Sequence, residues 1–73
     1  MSAGVTVYSK PACGPSRATK RWLDNSGVAY QEVPAAEHVD YLRELGHLEA
    51  PVVVTDREAW SGYRPDRLSN LRH

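Results

Sequence analysis

Seventy-three residues with nine Lys+Arg against nine Asp+Glu leave room for one small domain, over residues 1–73, with a single thin core. Zero formal charge argues against a general nucleic-acid binder, which carries a basic excess, and no stretch approaches the roughly 20 apolar residues of a membrane span. One cysteine cannot form an internal disulfide, so a reducing cytoplasm is the expected location; no basic-then-apolar leader is visible, and a monomer is expected.

In chain order, Gly4 to Tyr8 reads as a short strand rich in β-branched residues. Cys13-Gly14-Pro15-Ser16 follows, at the entry to a helix over Ser16 to Ser26. Ala18, Trp22 and Leu23 share one face of that helix, and Arg17, Lys20, Arg21 and Asp24 lie elsewhere. Gly27 suits the left-handed position that ends it. Val28 to Val33 alternates as a second strand. Ala36 to Leu45 places Val39, Leu42 and Leu45 near helical spacing, and Gly46 stops that helix. Val52-Val53-Val54 is a buried-type strand, Asp56-Arg57 begins a turn, and Ala59-Trp60-Ser61 forms a fourth strand. Pro65 suits the first turn of a last helix, with Asp66 favouring the dipole and Leu68 and Leu71 supplying the apolar face. The order β-α-β-α-β-β-α predicts an α/β domain. Its four-stranded mixed sheet has three flanking helices, because helices separate the first three strands and a hairpin joins the last two.

Cys-x-x-Ser at a strand-to-helix junction is a dithiol redox motif with one sulfur missing. The thiolate is the nucleophile of thiol–disulfide exchange, and a free thiol with a pKa of about 8.5 is mostly protonated at neutral pH. Unpaired amides and the positive dipole end at a helix N-terminus favour the anion. Pro15 has no N–H, so Ser16 and Arg17 supply the amides, and Lys10 adds a cation. Cys13 is therefore expected to be partly exposed and to titrate below the free-thiol value.

Three segments resemble a known family. Tyr8-Ser9-Lys10-Pro11-Ala12-Cys13-Gly14-Pro15 looks like the active-site entry of glutaredoxins. Ala50-Pro51-Val52-Val53-Val54 resembles the cis-proline segment of the thioredoxin superfamily. Trp60-Ser61-Gly62-Tyr63-Arg64-Pro65-Asp66-Arg67-Leu68 resembles the signature of NrdH-type redoxins, and it is the most specific of the three. The resemblance implies a thioredoxin fold, electron delivery to the large subunit of ribonucleotide reductase, and recharging by thioredoxin reductase. No cofactor would be bound, and NADPH would enter only through that reductase. It also implies that Cys13 attacks the target disulfide, that Ser16 stands where the resolving cysteine belongs, and that Pro51 is cis. Such a proline presents the backbone of Ala50 to an extended substrate segment. Serine can hydrogen-bond a thiolate but cannot form a disulfide. Two origins fit it: a natural monothiol variant, or a Cys→Ser replacement made to trap the mixed disulfide.

Trp60, Ser61, Gly62, Tyr63, Arg64 and Pro65 form a candidate partner-docking patch, aromatic and Arg residues being enriched at binding hot spots. The alternative places Trp60 in the core and gives Arg64 a structural hydrogen bond. Trp22 is expected in the core. Arg17, Lys20 and Arg21 line a solvated helix face, steer an acidic partner tail, or favour the thiolate at longer range. His38, His47 and His73 lack metal-ligand spacing, so no metal is assigned. Two other functions compete: a monothiol glutaredoxin that uses glutathione, with or without an iron–sulfur cluster, and a thioredoxin-fold binding module without redox activity. Against the first, Ser61-Gly62-Tyr63-Arg64-Pro65 stands in place of the Gly-Gly pair and following acid that glutaredoxins use for glutathione, and the aromatic residue and arginine should crowd that pocket.

Overall fold

The computed structural model describes residues 4–11, 14–47 and 49–71. Strand β1 (Thr6–Ser9) leads to helix α1 (Gly14–Asn25) and strand β2 (Gln31–Pro34). A 3₁₀ turn (Ala35–His38) opens directly into helix α2 (Val39–Leu45). Strands β3 (Val52–Val54) and β4 (Ala59–Ser61) precede helix α3 (Pro65–Leu68), which tightens into a last 3₁₀ turn over Ser69–Leu71. The sheet order is β2-β1-β3-β4. β1 runs parallel to β2 and antiparallel to β3, and β3 is antiparallel to β4. This is the expected mixed sheet.

Side-chain alternation along β1 separates two cores. On one face Val5, Val7, Val53 and Trp60 pack with Leu23 of α1 and Leu68 of α3; Trp22, Val28, Tyr30 and Leu71 pad the margin. On the other face Val52, with Tyr8 and Val54, packs against Ala35 and Leu42. Helices therefore cover both faces. The pairing of Val7 with Val53, and of Val53 with Trp60, keeps the first set in one layer.

The glycine stops act as expected. Gly27 (φ 70°) and Gly46 (φ 81°) adopt the left-handed conformation that favours glycine. Val28 N–H donates to the Leu23 carbonyl at 3.0 Å and Gly27 N–H to that of Asp24 at 3.3 Å. His47 and Gly46 repeat the pattern on Leu42 and Arg43. Paired bonds of this kind satisfy the last carbonyls of a helix.

Three expectations shift. β2 pairs from Gln31 rather than Val28, because residues 28–30 carry the chain from the end of α1 to the sheet, where Gln31 N–H first reaches the Val5 carbonyl at 2.9 Å. β1 likewise begins at Thr6 and runs on to Ser9. On α2 only Leu42 is buried, while Val39 and Leu45 remain 43% and 38% exposed. Within α2 a step of three residues leaves Val39 and Leu45 about 60° to either side of Leu42, so the seven-residue helix seats Leu42 on the face of the central strands and leaves the other two on its flanks.

The first layer contains a mismatch. Thr19 of α1 is fully buried, and its hydroxyl has no hydrogen-bond partner among the described residues. An unsatisfied buried hydroxyl costs about 1–3 kcal/mol. Thr19→Val keeps the branched shape and removes the orphan oxygen. It is expected to raise unfolding stability by about 1 kcal/mol, read as a higher denaturant midpoint at unchanged slope.

Candidate functional site

The site collects where β1 ends, α1 begins and β3 starts. Pro11 and Gly14 bracket the nucleophile position; Cys13 itself, with the expectations of its exposure and titration, lies outside the described residues, as does His73. Gly14 and Pro15 occupy the first turn of α1, starting that helix two residues earlier than expected. Proline is at home in a first helical turn, where its missing N–H leaves no bond unmade. Ser16 follows in the same turn. It is 1% exposed, and its Oγ has no hydrogen-bond partner among the described residues. A buried position in the first turn of α1 thus carries a hydroxyl without a partner among the described residues.

Across from this turn the Ala50–Pro51 peptide bond is cis, as the resemblance implied. Pro51 is buried. Its carbonyl accepts the Gly62 N–H at 2.8 Å, and Ser61 pairs in register with Val52. Gly62 sits at φ 84°, a conformation that L side chains rarely adopt. The second and third motifs are thus stapled into one edge.

Within the third motif the residues part company. Trp60 is 3% exposed and belongs to the core with Val53 and Leu68. It is removed from the candidate docking patch and takes the core alternative, because its register with Val53 aims it under α1 and α3. Tyr63 is 40% exposed, and Arg64 and Pro65 are exposed beside it. The Arg64 guanidinium donates from Nε to Asp66 Oδ1 at 3.2 Å and from Nη2 to Oδ2 at 3.0 Å. That bidentate pairing lowers the Asp66 carboxyl and raises the Arg64 guanidinium from their ordinary values. Arg67 pairs with Glu58 and ties α3 to the β3–β4 turn.

Besides the Arg67–Glu58 pair, sequence reasoning missed two polar contacts between elements. His47 Nδ1 lies 3.2 Å from Ser61 Oγ, joining the loop after α2 to β4. Nothing in local pattern announces it, since fourteen residues separate the partners. The other lies at the β2 edge, where Glu32 Oε2 accepts from Lys20 Nζ at 2.7 Å and from Ser9 Oγ at 2.7 Å. These two donors hold the Glu32 carboxyl below its ordinary value against the opposing effect of burial. Lys20 thus has a partner, beyond the solvated-face reading. On the opposite face of the sheet the Tyr8 ring meets His38 edge-on at 5.3 Å and Tyr41 at 5.8 Å, and burial raises the Tyr8 phenol. Among the described residues no group of three or more His, Cys, Asp or Glu could hold a metal ion, and no helix is long and apolar enough to cross a membrane.

The lowered Glu32 carboxyl implies a pH dependence with a definite sign. A depressed folded-state value stabilises the fold fully above the ordinary carboxylate range, and that stabilisation is lost as pH falls through the lowered value. Glu32→Gln is expected to remove this part of the acid sensitivity. Because the pair is partly exposed, the effect should stay below about 1 kcal/mol, read as a smaller difference between denaturant midpoints at neutral and acidic pH.

Comparison with known proteins places this geometry. The glutaredoxin family model matches residues 5–60. The glutaredoxin-like protein NrdH of Lactococcus lactis subsp. cremoris is 37% identical over 70 residues, covering 92% of this chain and 97% of the relative. The protein of the same description from Escherichia coli K12 is 33% identical over 70 residues, covering 92% and 86%. The solved NrdH-redoxin of Escherichia coli, described as having a thioredoxin-like activity profile, superimposes with a TM-score of 0.88 at 32% identity, over 94% of this chain and 95% of that one.

Proposed function

The chain belongs to the glutaredoxin family and, within it, to the NrdH-type glutaredoxin-like proteins, and on that premise we propose that it is a thiol–disulfide redoxin arrested at the mixed disulfide. The observation that carries this reading is the bond from Gly62 N–H to the Pro51 carbonyl, which holds the cis-proline segment and the signature loop as one surface beside the start of α1. Cys13 as thiolate attacks one sulfur of a target disulfide. The target S–S bond breaks, a Cys13–target bond forms, and the other target sulfur leaves as a thiolate that takes up a proton. In a dithiol redoxin a second thiolate, one helical turn on, would displace the target. Here Ser16 holds that place and the adduct persists.

The physiological pair in this proposal is thioredoxin reductase as the electron source, with NADPH behind it, and the large subunit of ribonucleotide reductase as the acceptor. Tyr63 and Arg64 are exposed on the signature loop, and in this reading they crowd the pocket with which a glutaredoxin would hold glutathione.

Mass spectrometry of the reduced protein mixed with a disulfide peptide tests the first step. About one peptide per polypeptide is expected, bound through Cys13, stable without added thiol and abolished by Cys13→Ser. Adduct formation with glutathione disulfide alone would move the chain to the glutathione-dependent reading. No adduct with any disulfide would leave a binding module.

A further inference from the structure

A pocket of about 450 Å³ opens at the end of the sheet, lined by Ser9, Lys10 and Pro11 after β1, Arg17 and Lys20 of α1, and Glu32, Val33 and Pro34 of β2. We propose that this pocket binds a carboxylate side chain of an acidic polypeptide segment next to the disulfide that Cys13 attacks; the role rests on the redox reading above, the binding does not.

Charge selects an anion. Three cations face one carboxylate, although the whole chain is neutral, so the excess is local. Lys20 and the Ser9 hydroxyl already engage Glu32. Lys10 and Arg17 are both exposed and have no carboxylate partner among the described residues. Glu32 holds the Lys20 ammonium, leaving the other two cations for a ligand. The pocket also lies beyond the carboxyl ends of the parallel strands β1 and β2, the side on which open α/β sheets receive ligands.

Size and walls select a polypeptide. The volume falls within the range of small-ligand sites and far exceeds what a single inorganic anion fills. Pro11, Val33 and Pro34 supply an apolar flank suited to the stem of an acidic side chain and its neighbours. Lys10 and Pro11 precede the nucleophile, and Arg17 follows it by four positions. A segment anchored here would therefore lie beside a disulfide presented to Cys13, on the β2 side, away from the β3–β4 edge that carries Pro51 and Tyr63.

The test uses the full chain and a short, cysteine-free peptide rich in aspartate and glutamate with blocked ends, followed by backbone amide shifts in NMR. Shifts centred on Lys10, Arg17 and Val33 are expected, with binding that weakens as salt rises. Arg17→Glu should weaken it by about tenfold, and the milder Arg17→Gln by less. Equal binding of the asparagine–glutamine version of the peptide would overturn the proposal, as would shifts centred on Tyr63 and Arg64. Inorganic phosphate binding as tightly as the peptide would overturn the polypeptide occupant. No thiol chemistry enters this measurement, so peptide binding without any mixed disulfide would uphold the pocket while defeating the redox reading. In the redox arm, disulfide peptides flanked by acidic residues should form the Cys13 adduct faster than lysine-flanked ones, and Arg17→Glu should erase that preference.

Discussion

Ser16→Cys is expected to turn a protein that attacks one disulfide and stops into one that cycles when thioredoxin reductase and NADPH are supplied. The parent chain should process about one disulfide per polypeptide, and the variant should continue until substrate is exhausted. The new thiol would stand three residues after Cys13, in the first turn of α1, at a site that is 1% exposed. Its thiolate would attack the Cys13 sulfur of the mixed disulfide and release reduced target. The disulfide left between Cys13 and the introduced sulfur is then the reductase's substrate.

The same substitution should be favourable for the fold. A thiol behaves as a small hydrophobe with a weak donor and tolerates burial well, whereas the Ser16 hydroxyl is buried without a partner among the described residues. A gain of about 1 kcal/mol is expected for Ser16→Cys in its reduced form and for Ser16→Ala. Ser16→Ala is therefore the control that shares the gain in stability and still fails to turn over. External thiols must be excluded, since they release the adduct from either protein. Turnover of the cysteine variant with glutathione and glutathione reductase, but not with thioredoxin reductase, would falsify the assignment of the electron source.

Trp60→Ala is expected to be the most damaging single change to stability. Trp60 sits 3% exposed between Val53 of β3 and the helices α1 and α3. Truncating a buried tryptophan costs about 3–5 kcal/mol through lost transfer energy and the cavity left behind. A chain of this length has a total of roughly 4–11 kcal/mol to lose, so a large part of its stability goes with the one side chain. Trp60→Phe should cost far less, because it keeps most of the volume and deletes the indole Nε1–H, which is buried without a partner among the described residues. Urea titration followed by Trp22 fluorescence reads both variants. A Trp60→Ala protein as stable as the parent, yet unable to form the Cys13 adduct, would return Trp60 to the docking surface.

Much of this molecule was legible before any coordinates. The element order, the stops at Gly27 and Gly46, the valine run of β3 and the Pro65 start of α3 all depend on interactions within a few residues: β-branching, left-handed glycine, and a proline that needs no N–H in a first turn. The place of Ser16 at the start of α1 was legible for the same reason, since it belongs to a motif of four consecutive residues at a strand-to-helix junction. The cis bond at Pro51 came from resemblance, because backbone preference alone favours trans.

What local pattern left open depended on partners far along the chain. Trp60 and Tyr63 stand three residues apart in one motif, yet one lies in the core and the other at the surface, because the register of β4 on β3 sets which face each position meets. Val39 and Leu45 share helical spacing with Leu42, but only Leu42 is seated on the sheet, and the other two fall on the flanks of the short helix α2. Glu32, Lys20 and Ser9 come from three elements and meet only when β2 docks parallel to β1 under α1. Sequence by itself determined the order of the elements, their stops, and the one residue that carries a sulfur in the redox motif. Tertiary structure decided which side chains are shielded and which charges gather, because burial and Coulomb attraction depend on distance through space, and sheet register sets that distance.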